Sequence, residues 1–208
     1  RVFKDVMKVI KRDIELLFEI SAFRHLDRVW RHFLNPDVAN NSEHSFSVVW
    51  IALTLAKMEG VKNHEKILKM SLLHDLPESR CGDVHYLSRQ YVIRKEDEAV
   101  KDIFKDTVHE KETLKLWREF EERKTPEAKI VKDADNLDVE LELREQEYRG
   151  HSISKTLRPE RNRLLHHRLF TKSAKILWKE IQKANPHDWH LKSPKNRFRG
   201  GDWKNKKK

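Results

Sequence analysis

Apolar residues recur every three or four positions along most of the chain, which is the spacing of one face of an α-helix. The first such stretch covers residues 3–34, and its pattern leaves open whether it forms one helix or two. Further helices are predicted over residues 43–58, from Val61 or Asn63 to His74, and over residues 95–106, 111–124, 126–148 and 160–184. No stretch alternates apolar and polar residues over the length of a strand. The pattern therefore predicts an all-α fold.

Capping and breaking residues mark where these helices begin and end. Asn40-Asn41-Ser42 is typical of a helix start, and Gly60 of a helix end. Thr125-Pro126 predicts a helix with proline at its first position. Pro77 disfavours the α conformation in the residue before it, so the helix that reaches His74 should end or bend there.

Composition supports a helical bundle with few turns. The 208 residues include only 5 Gly and 6 Pro, and 38% of them are charged. This length suffices for one domain with a core. We predict a single helical domain over residues 1–191 and a basic tail over residues 192–208, where eight basic residues accompany one acidic residue. Such a like-charged segment is expected to be solvated and flexible rather than to contact nucleic acid.

Sequence features also bear on the compartment. Cys81 is the single cysteine, which excludes an internal disulfide and fits a reducing environment. The longest apolar run, residues 46–56, falls short of the roughly 20 residues that a membrane helix needs. Residues 1–10 are amphipathic, unlike the apolar core of a signal peptide. We therefore expect a cytoplasmic protein with no membrane partner.

Four side chains with metal-binding chemistry interrupt apolar helix faces. His44 lies among apolar residues, His74 and Asp75 end an apolar helix, and Asp135 lies inside another apolar face. A carboxylate in a core-facing position is costly unless it is paired or binds a metal. Two imidazoles and two carboxylates around one divalent ion would satisfy all four, and this donor set suits Mn, Co, Zn, Fe or Ni better than Ca.

Two neighbouring aspartates compete with Asp135 for the fourth ligand position. Asp138 lies one helical turn further along nearly the same face, and Asp133 lies two residues before Asp135. The apolar residues on both sides of Asp135 favour it over the other two.

The ordered set of candidate ligands resembles the H…HD…D signature of the HD-domain metal-dependent phosphohydrolases. The likeness extends to one branch of that family, the 5′-deoxynucleotidases, which remove phosphate from deoxynucleoside monophosphates. It covers about residues 14–150, and the segments that carry it are Ser42-Glu43-His44-Ser45, His74-Asp75-Leu76-Pro77-Glu78 with Gly82-Asp83, and Lys132-Asp133-Ala134-Asp135.

The resemblance implies an HD-domain helical bundle that binds one divalent transition metal and a nucleotide substrate. It suggests Glu78 and Asp83 as the catalytic groups that move protons. Trp30, fourteen residues before His44, occupies the place of the substrate-contacting Trp of that branch. Arg28 lies close to the position of a family arginine, and Arg80 is a further candidate phosphate contact. A homodimer is the expected assembly.

Three functional hypotheses follow from these residues. The leading one is hydrolysis of deoxyribonucleoside 5′-monophosphates to deoxynucleoside and phosphate, with weak base selectivity. The second is hydrolysis of deoxynucleoside triphosphates with release of tripolyphosphate. The third is a non-catalytic nucleic-acid-binding module that uses the basic tail, which the complete ligand set disfavours.

Overall fold

The computed structural model describes residues 2–192, so the predicted tail lies outside the described residues except for Lys192. Within this range the structure is helical and contains no strand, as the sequence predicts. A single isolated bridge joins Asp27 and Asn40. The helices are α1 (Val2–Ala22), α2 (Asn41–Glu59), α3 (His64–Leu73), α4 (Glu78–Cys81), α5 (Glu96–Phe104), α6 (Glu110–Glu122), α7 (Pro126–Tyr148), α8 (Ile153–Arg168), α9 (Lys172–Lys183) and α10 (Asp188–Leu191).

Local hydrogen bonds explain the starts of the two central helices. The Asn40 side chain accepts from the backbone N–H groups of Ser42 and Glu43, and the Glu43 carboxylate accepts from the Asn40 N–H. Such a capping box satisfies N–H groups that the first helical turn leaves unpaired. Thr125 caps α7 in the same way by accepting from Ala128 N–H. These contacts confirm both predicted helix starts.

The core forms where α2 and α7 pack against each other, with α3 and α9 alongside. Its members are apolar side chains with almost no solvent exposure, and burial of each Val, Leu, Ile or Met among them stabilises the fold by roughly 1.5–3 kcal/mol. They include Val48, Ala52 and Leu55 of α2, Ile67 and Met70 of α3, and Ile130, Ala134 and Leu137 of α7. Because α2, α3 and α7 share this core, polar residues on their inner faces are forced together.

The first apolar stretch is not one helix. It divides at Ala22, and the chain then continues through two short 3₁₀ turns, Phe23–His25 and Val29–His32. The N–H of Asn41 donates to the carbonyl oxygen of Leu26 at 3.0 Å, which ties this segment to the start of α2. The segment that carries Arg28 is thereby held beside the first turn of α2.

The prediction of a single last helix over residues 160–184 is wrong. The chain forms α8 and α9, separated by residues 169–171. The break is stabilised by Asp133 of α7, whose carboxylate accepts hydrogen bonds of 2.8 Å from Phe170 N–H, Thr171 N–H and the Thr171 hydroxyl. Thr171 in turn caps α9 through Ala174 N–H. Helical periodicity continues across the break, so the pattern alone did not reveal it.

Replacement of Asp133 by alanine is expected to lower the free energy of unfolding by roughly 1–3 kcal/mol, because it removes the acceptor of three partly buried hydrogen bonds. Asp133 is fully buried, so water cannot take its place without rearrangement. Chemical denaturation of the variant checks this, with the exposed Asp37→Ala as the matched control. A loss below 0.5 kcal/mol, taken as roughly the effect of an ordinary surface substitution, would contradict the capping role of Asp133.

Candidate metal centre

Four candidate ligands converge between α2, the end of α3 and α7. One potential ligand atom from each of His44, His74, Asp75 and Asp135 lies within 4.8 Å of the other three. His44 Nε2 is 3.2 Å from His74 Nε2, 3.3 Å from Asp75 Oδ2 and 3.4 Å from Asp135 Oδ1. Both histidines are buried. The structure therefore brings together the complete set that the sequence suggested.

The end of α3 explains how two consecutive residues reach one point. Neighbouring residues of a regular helix face different directions. Here α3 ends at Leu73, and the turn that follows is closed by a 3.0 Å hydrogen bond from Leu76 N–H to the Leu73 carbonyl oxygen. Pro77 then precedes the short helix α4. This change of direction lets His74 Nε2 and Asp75 Oδ2 approach to 3.3 Å.

Hydrogen bonds on the far side of each imidazole orient its ring. His44 Nδ1 is 2.5 Å from Asp138 Oδ2, and His74 Nδ1 is 2.7 Å from the carbonyl oxygen of Ser71. Each Nδ1–H can donate to its oxygen, which leaves both Nε2 lone pairs directed at the cluster. Of the two competing aspartates, Asp138 thus contacts the outer nitrogen of His44, and Asp133 holds the start of α9.

The charges of the cluster fit a divalent cation. Burial lowers the pKa of His44 and nearby Arg28 lowers it further, yet hydrogen bonds to Asp135, Asp138 and Asp75 raise it well above its usual value. Burial also opposes ionisation of Asp75, but His74 and His44 hold the pKa of Asp75 well below its usual range. The site therefore favours positive charge between these side chains, and its donor set of two imidazole nitrogens and two carboxylates suits a transition metal.

Two cations pair with the candidate ligand carboxylates. Arg28 Nη1 lies 2.9 Å from Asp75 Oδ2, and Lys132 Nζ lies 2.6 Å from Asp135 Oδ2. Arg28 was predicted near the site, and the structure buries it there. Lys132 was noted only as part of the segment around Asp135. Its position three residues before Asp135 was the available signal for an ion pair along α7.

Glu78, the first residue of α4, is a buried carboxyl group beside the cluster. Its Oε2 accepts from the Asn41 amide at 2.8 Å, and its Oε1 accepts from Arg94 at 3.2 Å. Burial, together with the charges of Asp75 and Asp83, raises the pKa of Glu78 to about 9, against the opposing influence of Arg28 and Arg94. Glu78 can therefore carry a proton at neutral pH.

A polar cavity of about 170 Å³ opens over the cluster. Its lining includes the candidate ligands His74, Asp75 and Asp135 as well as Glu78 and Asp83. Asp83 also accepts a 2.9 Å hydrogen bond from the backbone N–H of Val29, which joins the α4 loop to the segment before α2. The cavity thus combines three of the four candidate metal ligands with both predicted catalytic carboxyl groups.

Two predicted substrate contacts do not line this cavity. Arg80 forms a two-pronged ion pair with Glu19 of α1, with Nε and Nη2 at 2.7 and 2.8 Å from the two carboxylate oxygens. Its predicted contact with phosphate therefore has no support from its position. Trp30 is half-buried in the 3₁₀ turn that follows Arg28. Trp30 lies beside the site along the chain but not in its wall.

Sequence reasoning missed several polar residues of the site. Asn41 looked like a helix-start residue, yet its side chain also contacts Glu78. Arg94 and Arg123 line the cavity from segments that showed no motif. Only the tertiary structure places these residues beside the candidate ligands.

The fold is an all-α bundle that brings two buried histidines and two partly buried aspartates together in a candidate divalent-metal centre. The chain belongs to the HD domain family, whose model matches residues 20–182. The family resemblance drawn from the sequence is thereby confirmed. None of the helices within residues 2–192 combines the length and apolar character required to cross a membrane.

Curated relatives that match this chain are named 5′-deoxynucleotidases. The chain is 33% identical over 139 residues to 5′-deoxynucleotidase HDDC2 of Danio rerio, an alignment covering 64% of this chain and 68% of the relative. It is 32% identical over 128 residues to 5′-deoxynucleotidase HDDC2 of Dictyostelium discoideum, covering 56% and 67%.

Solved structures share the fold. A crystal structure of a Pyrococcus horikoshii OT3 protein superposes with a TM-score of 0.64 at 26% identity, covering 82% of this chain and 96% of the other. A predicted metal-dependent phosphohydrolase from Magnetospirillum magnetotacticum MS-1 superposes with a TM-score of 0.58 at 22% identity, covering 85% and 96%. At 22% identity the second likeness concerns the fold alone.

Proposed function

We propose that this chain is a metal-dependent 5′-deoxynucleotidase that converts deoxyribonucleoside 5′-monophosphates into deoxynucleoside and phosphate. The observation that carries the proposal is the convergence of His44, His74, Asp75 and Asp135 beside a polar cavity that buried Glu78 also lines. The name shared by the curated relatives supports the choice of substrate. A divalent ion such as Mn, Co, Zn, Fe or Ni would hold a phosphate oxygen there and lower the pKa of a water molecule to roughly 7.

Glu78 supplies a proton for the leaving group. Hydrolysis adds water to phosphorus and breaks the bond to the 5′-oxygen, which must then gain a proton. Burial raises the pKa of Glu78, which favours its protonated form, and Glu78 lines the cavity, so it is placed to donate that proton. Burial and the charge of Asp75, with a smaller contribution from Asp83, favour the proton on Glu78. The N–H of Val29 donates to Asp83 and holds it in place.

Arg28 and Lys132 make the cavity acceptable to an anion. Two ligand carboxylates alone would repel a phosphate monoester. Because each carboxylate is paired with a cation at 2.9 or 2.6 Å, the negative charge facing the substrate is reduced. No side chain has to form a covalent bond to phosphorus in this scheme.

The size of the cavity bears on base selectivity. Its volume of about 170 Å³ is below the roughly 300–1,000 Å³ of pockets that enclose a drug-sized ligand. It therefore suits the phosphate and the adjoining part of the sugar better than a whole nucleotide. A base left outside the cavity is consistent with the weak base selectivity that we propose.

Product analysis tests the proposed function. Purified protein is incubated with each of several divalent metals and a panel of deoxyribo- and ribonucleoside mono- and triphosphates. We expect free phosphate and deoxynucleoside from the deoxyribonucleoside monophosphates. Tripolyphosphate as the product would favour the triphosphohydrolase instead. Nucleic-acid binding that survives chelation and weakens steeply with salt, without hydrolysis, would favour the binding module.

Trp30→Ala is expected to raise activity on ribonucleotides relative to deoxyribonucleotides. In the family branch that the sequence resembles, the equivalent Trp lies against the sugar and leaves a 2′-hydroxyl without space or partner. Desolvation of that hydroxyl would cost about 1–3 kcal/mol, or roughly 5–150-fold in kcat/KM. The measurement is kcat/KM for one matched deoxy/ribo pair in both proteins. An unchanged ratio would assign half-buried Trp30 to packing alone.

The proposal includes a homodimer. Five large apolar side chains of α1, α2 and α3 are 60–73% exposed and lie on the helices that border an apolar groove of about 490 Å³: Leu17, Phe18, Phe46, Trp50 and Leu72. Exposed apolar clusters of this kind mark protein interfaces. Phe46→Lys is expected to shift the protein towards monomer in light scattering, whereas Ile176→Lys on α9 should not. A monomeric wild-type protein at micromolar concentration would contradict the dimer.

We also place the enzyme in the cytoplasm. The support is the unpaired, partly buried thiol of Cys81, the single cysteine of the sequence, which suits a reducing compartment.

A further inference from the structure

Arg123 differs from the other cations that line the cavity. Arg28, Arg94 and Lys132 each lie within 3.2 Å of a carboxylate oxygen. Arg89 Nε donates to the carbonyl oxygen of Val84 at 2.6 Å. The closest acidic oxygen paired with Arg123 is Glu121 Oε1, at 3.9 Å from its Nη2. The Arg123 side chain as a whole is 40% exposed, but its Nε is buried and, among residues 2–192, has no hydrogen-bond partner. A buried guanidinium N–H without an acceptor is costly, so an acceptor from a ligand would stabilise it.

The backbone of Arg123 is itself unusual. The residue follows the last residue of α6 with φ 52° and ψ 31°, which is the left-handed conformation. Glycine is the usual residue at such a helix end, because a side chain there is strained. Strain of this kind is often retained where it positions a functional side chain. Here it accompanies a guanidinium group in the wall of the polar cavity.

We propose that Arg123 binds the phosphate group of the substrate and so sets the affinity of the site for phosphate. This inference rests on the proposed function, which supplies the phosphate. The guanidinium group presents several N–H donors in a plane that matches two oxygens of a phosphate. Arg123 enters from the end of α6, whereas Lys132 belongs to α7 and Arg28 precedes α2. Arg123 would thus contact the phosphate from α6, a helix that holds no candidate metal ligand.

The competing explanation is a helix-end arginine that only screens Glu121. The two explanations differ in what Arg123→Gly does. Glycine adopts the left-handed conformation freely, so this variant should fold with an unchanged or higher Tm. If Arg123 only screens the charge of Glu121, which lies 3.9 Å away, then removing Arg123 would leave the affinity of the site for phosphate unchanged.

The experiment measures product inhibition in the metal-loaded enzyme. Arg123→Gly should raise the inhibition constant of inorganic phosphate at least about tenfold, the effect of losing a hydrogen bond between charged groups. The inhibition constant of the deoxynucleoside should stay within twofold. Arg123→Lys, which keeps the charge without the planar group, should restore part of the phosphate affinity. Lys124→Gly is the matched control, because Lys124 is exposed and pairs with Glu122.

A phosphate inhibition constant within twofold of the wild-type value would overturn the proposal. So would a change confined to the deoxynucleoside, which would place Arg123 against the sugar or base. If the wild-type protein hydrolyses no nucleotide, the proposed function fails by itself. Calorimetric titration of inorganic phosphate into metal-loaded wild-type and Arg123→Gly proteins then still decides the role of Arg123.

Discussion

Asp75→Ala is expected to abolish metal binding and turnover while the helical content remains. Asp75 Oδ2 lies 3.3 Å from both His44 Nε2 and His74 Nε2, at the centre of the candidate ligand set. Its loss removes one of four ligands and leaves two imidazoles facing each other without a carboxylate between them. The substitution also removes the partner of buried Arg28, and an uncompensated buried charge costs roughly 3–5 kcal/mol.

Two further variants separate the loss of the metal from the loss of stability. Asp75→Asn keeps an oxygen that can accept from Arg28 but removes the charge, so it should fold better and still bind metal poorly. Asp102→Ala removes an exposed carboxylate and serves as the control. The measurements are metal content after dialysis, circular dichroism and phosphate release. Near-normal turnover of Asp75→Ala with added Mn or Co would show that the metal assignment is wrong.

Glu78→Gln is expected to retain the metal and to slow hydrolysis by about 10²–10⁴-fold, the usual contribution of a positioned acid or base. Gln is similar in shape and can still accept a hydrogen bond from Asn41, but its amide is too weak an acid to protonate a leaving oxygen. The readout is kcat of protein with confirmed metal content. A metal-loaded variant with the full wild-type rate would return Glu78 to a structural role.

The raised pKa of Glu78 also predicts the direction of the pH dependence. Burial and the charges of Asp75 and Asp83 raise this pKa to about 9, so the group is protonated below that pH and loses its proton above it. Neutralisation of Asp75 by a bound cation would remove one of these causes and lower the pKa. Activity that depends on the proton of Glu78 should therefore fall at alkaline pH in the wild type. The residual activity of Glu78→Gln should not show that fall.

The raised pKa of Glu78 also affects the free energy of unfolding of the protein when a chelator has removed the metal. The pKa of Glu78 is about 9 in the folded state and near 4.5 in the unfolded state, so folding takes up a proton between these values. Stability from this group is complete below pH 4.5 or so and declines as the pH rises towards 9. Relative to the wild type, Glu78→Gln should therefore gain up to about 1.4 kcal/mol per pH unit between pH 6 and pH 8.5. A difference in the free energy of unfolding between the variant and the wild type that does not grow with pH would contradict the raised pKa.

Several expectations about the chain stay predictions. The family model covers residues 20–182 of the domain that we predicted over residues 1–191. The roles of His44, His74, Asp75 and Asp135 as ligands, and of Glu78 and Asp83 in catalysis, await the variants described above.

The sequence by itself determined the helical class and most helix boundaries, because both arise from interactions within about four residues. Apolar spacing, the Asn40 capping box, Thr125-Pro126 and Gly60 are all of this kind. The four candidate ligands could also be predicted, since each combines a polar side chain with an apolar helix face and together they follow a family order.

Only the tertiary structure decided the contacts that join distant parts of the chain. Asp133 stabilises the break in the last predicted helix by accepting from residues 37 and 38 positions away. Arg80 pairs with Glu19, 61 residues away, and does not line the cavity. Asp138 reaches the outer nitrogen of His44 across 94 residues, which distinguishes it from Asp135 although both lie on nearly the same face of α7. Periodicity carries no information on such partners, because it reports which face is buried but not what lies opposite each side chain.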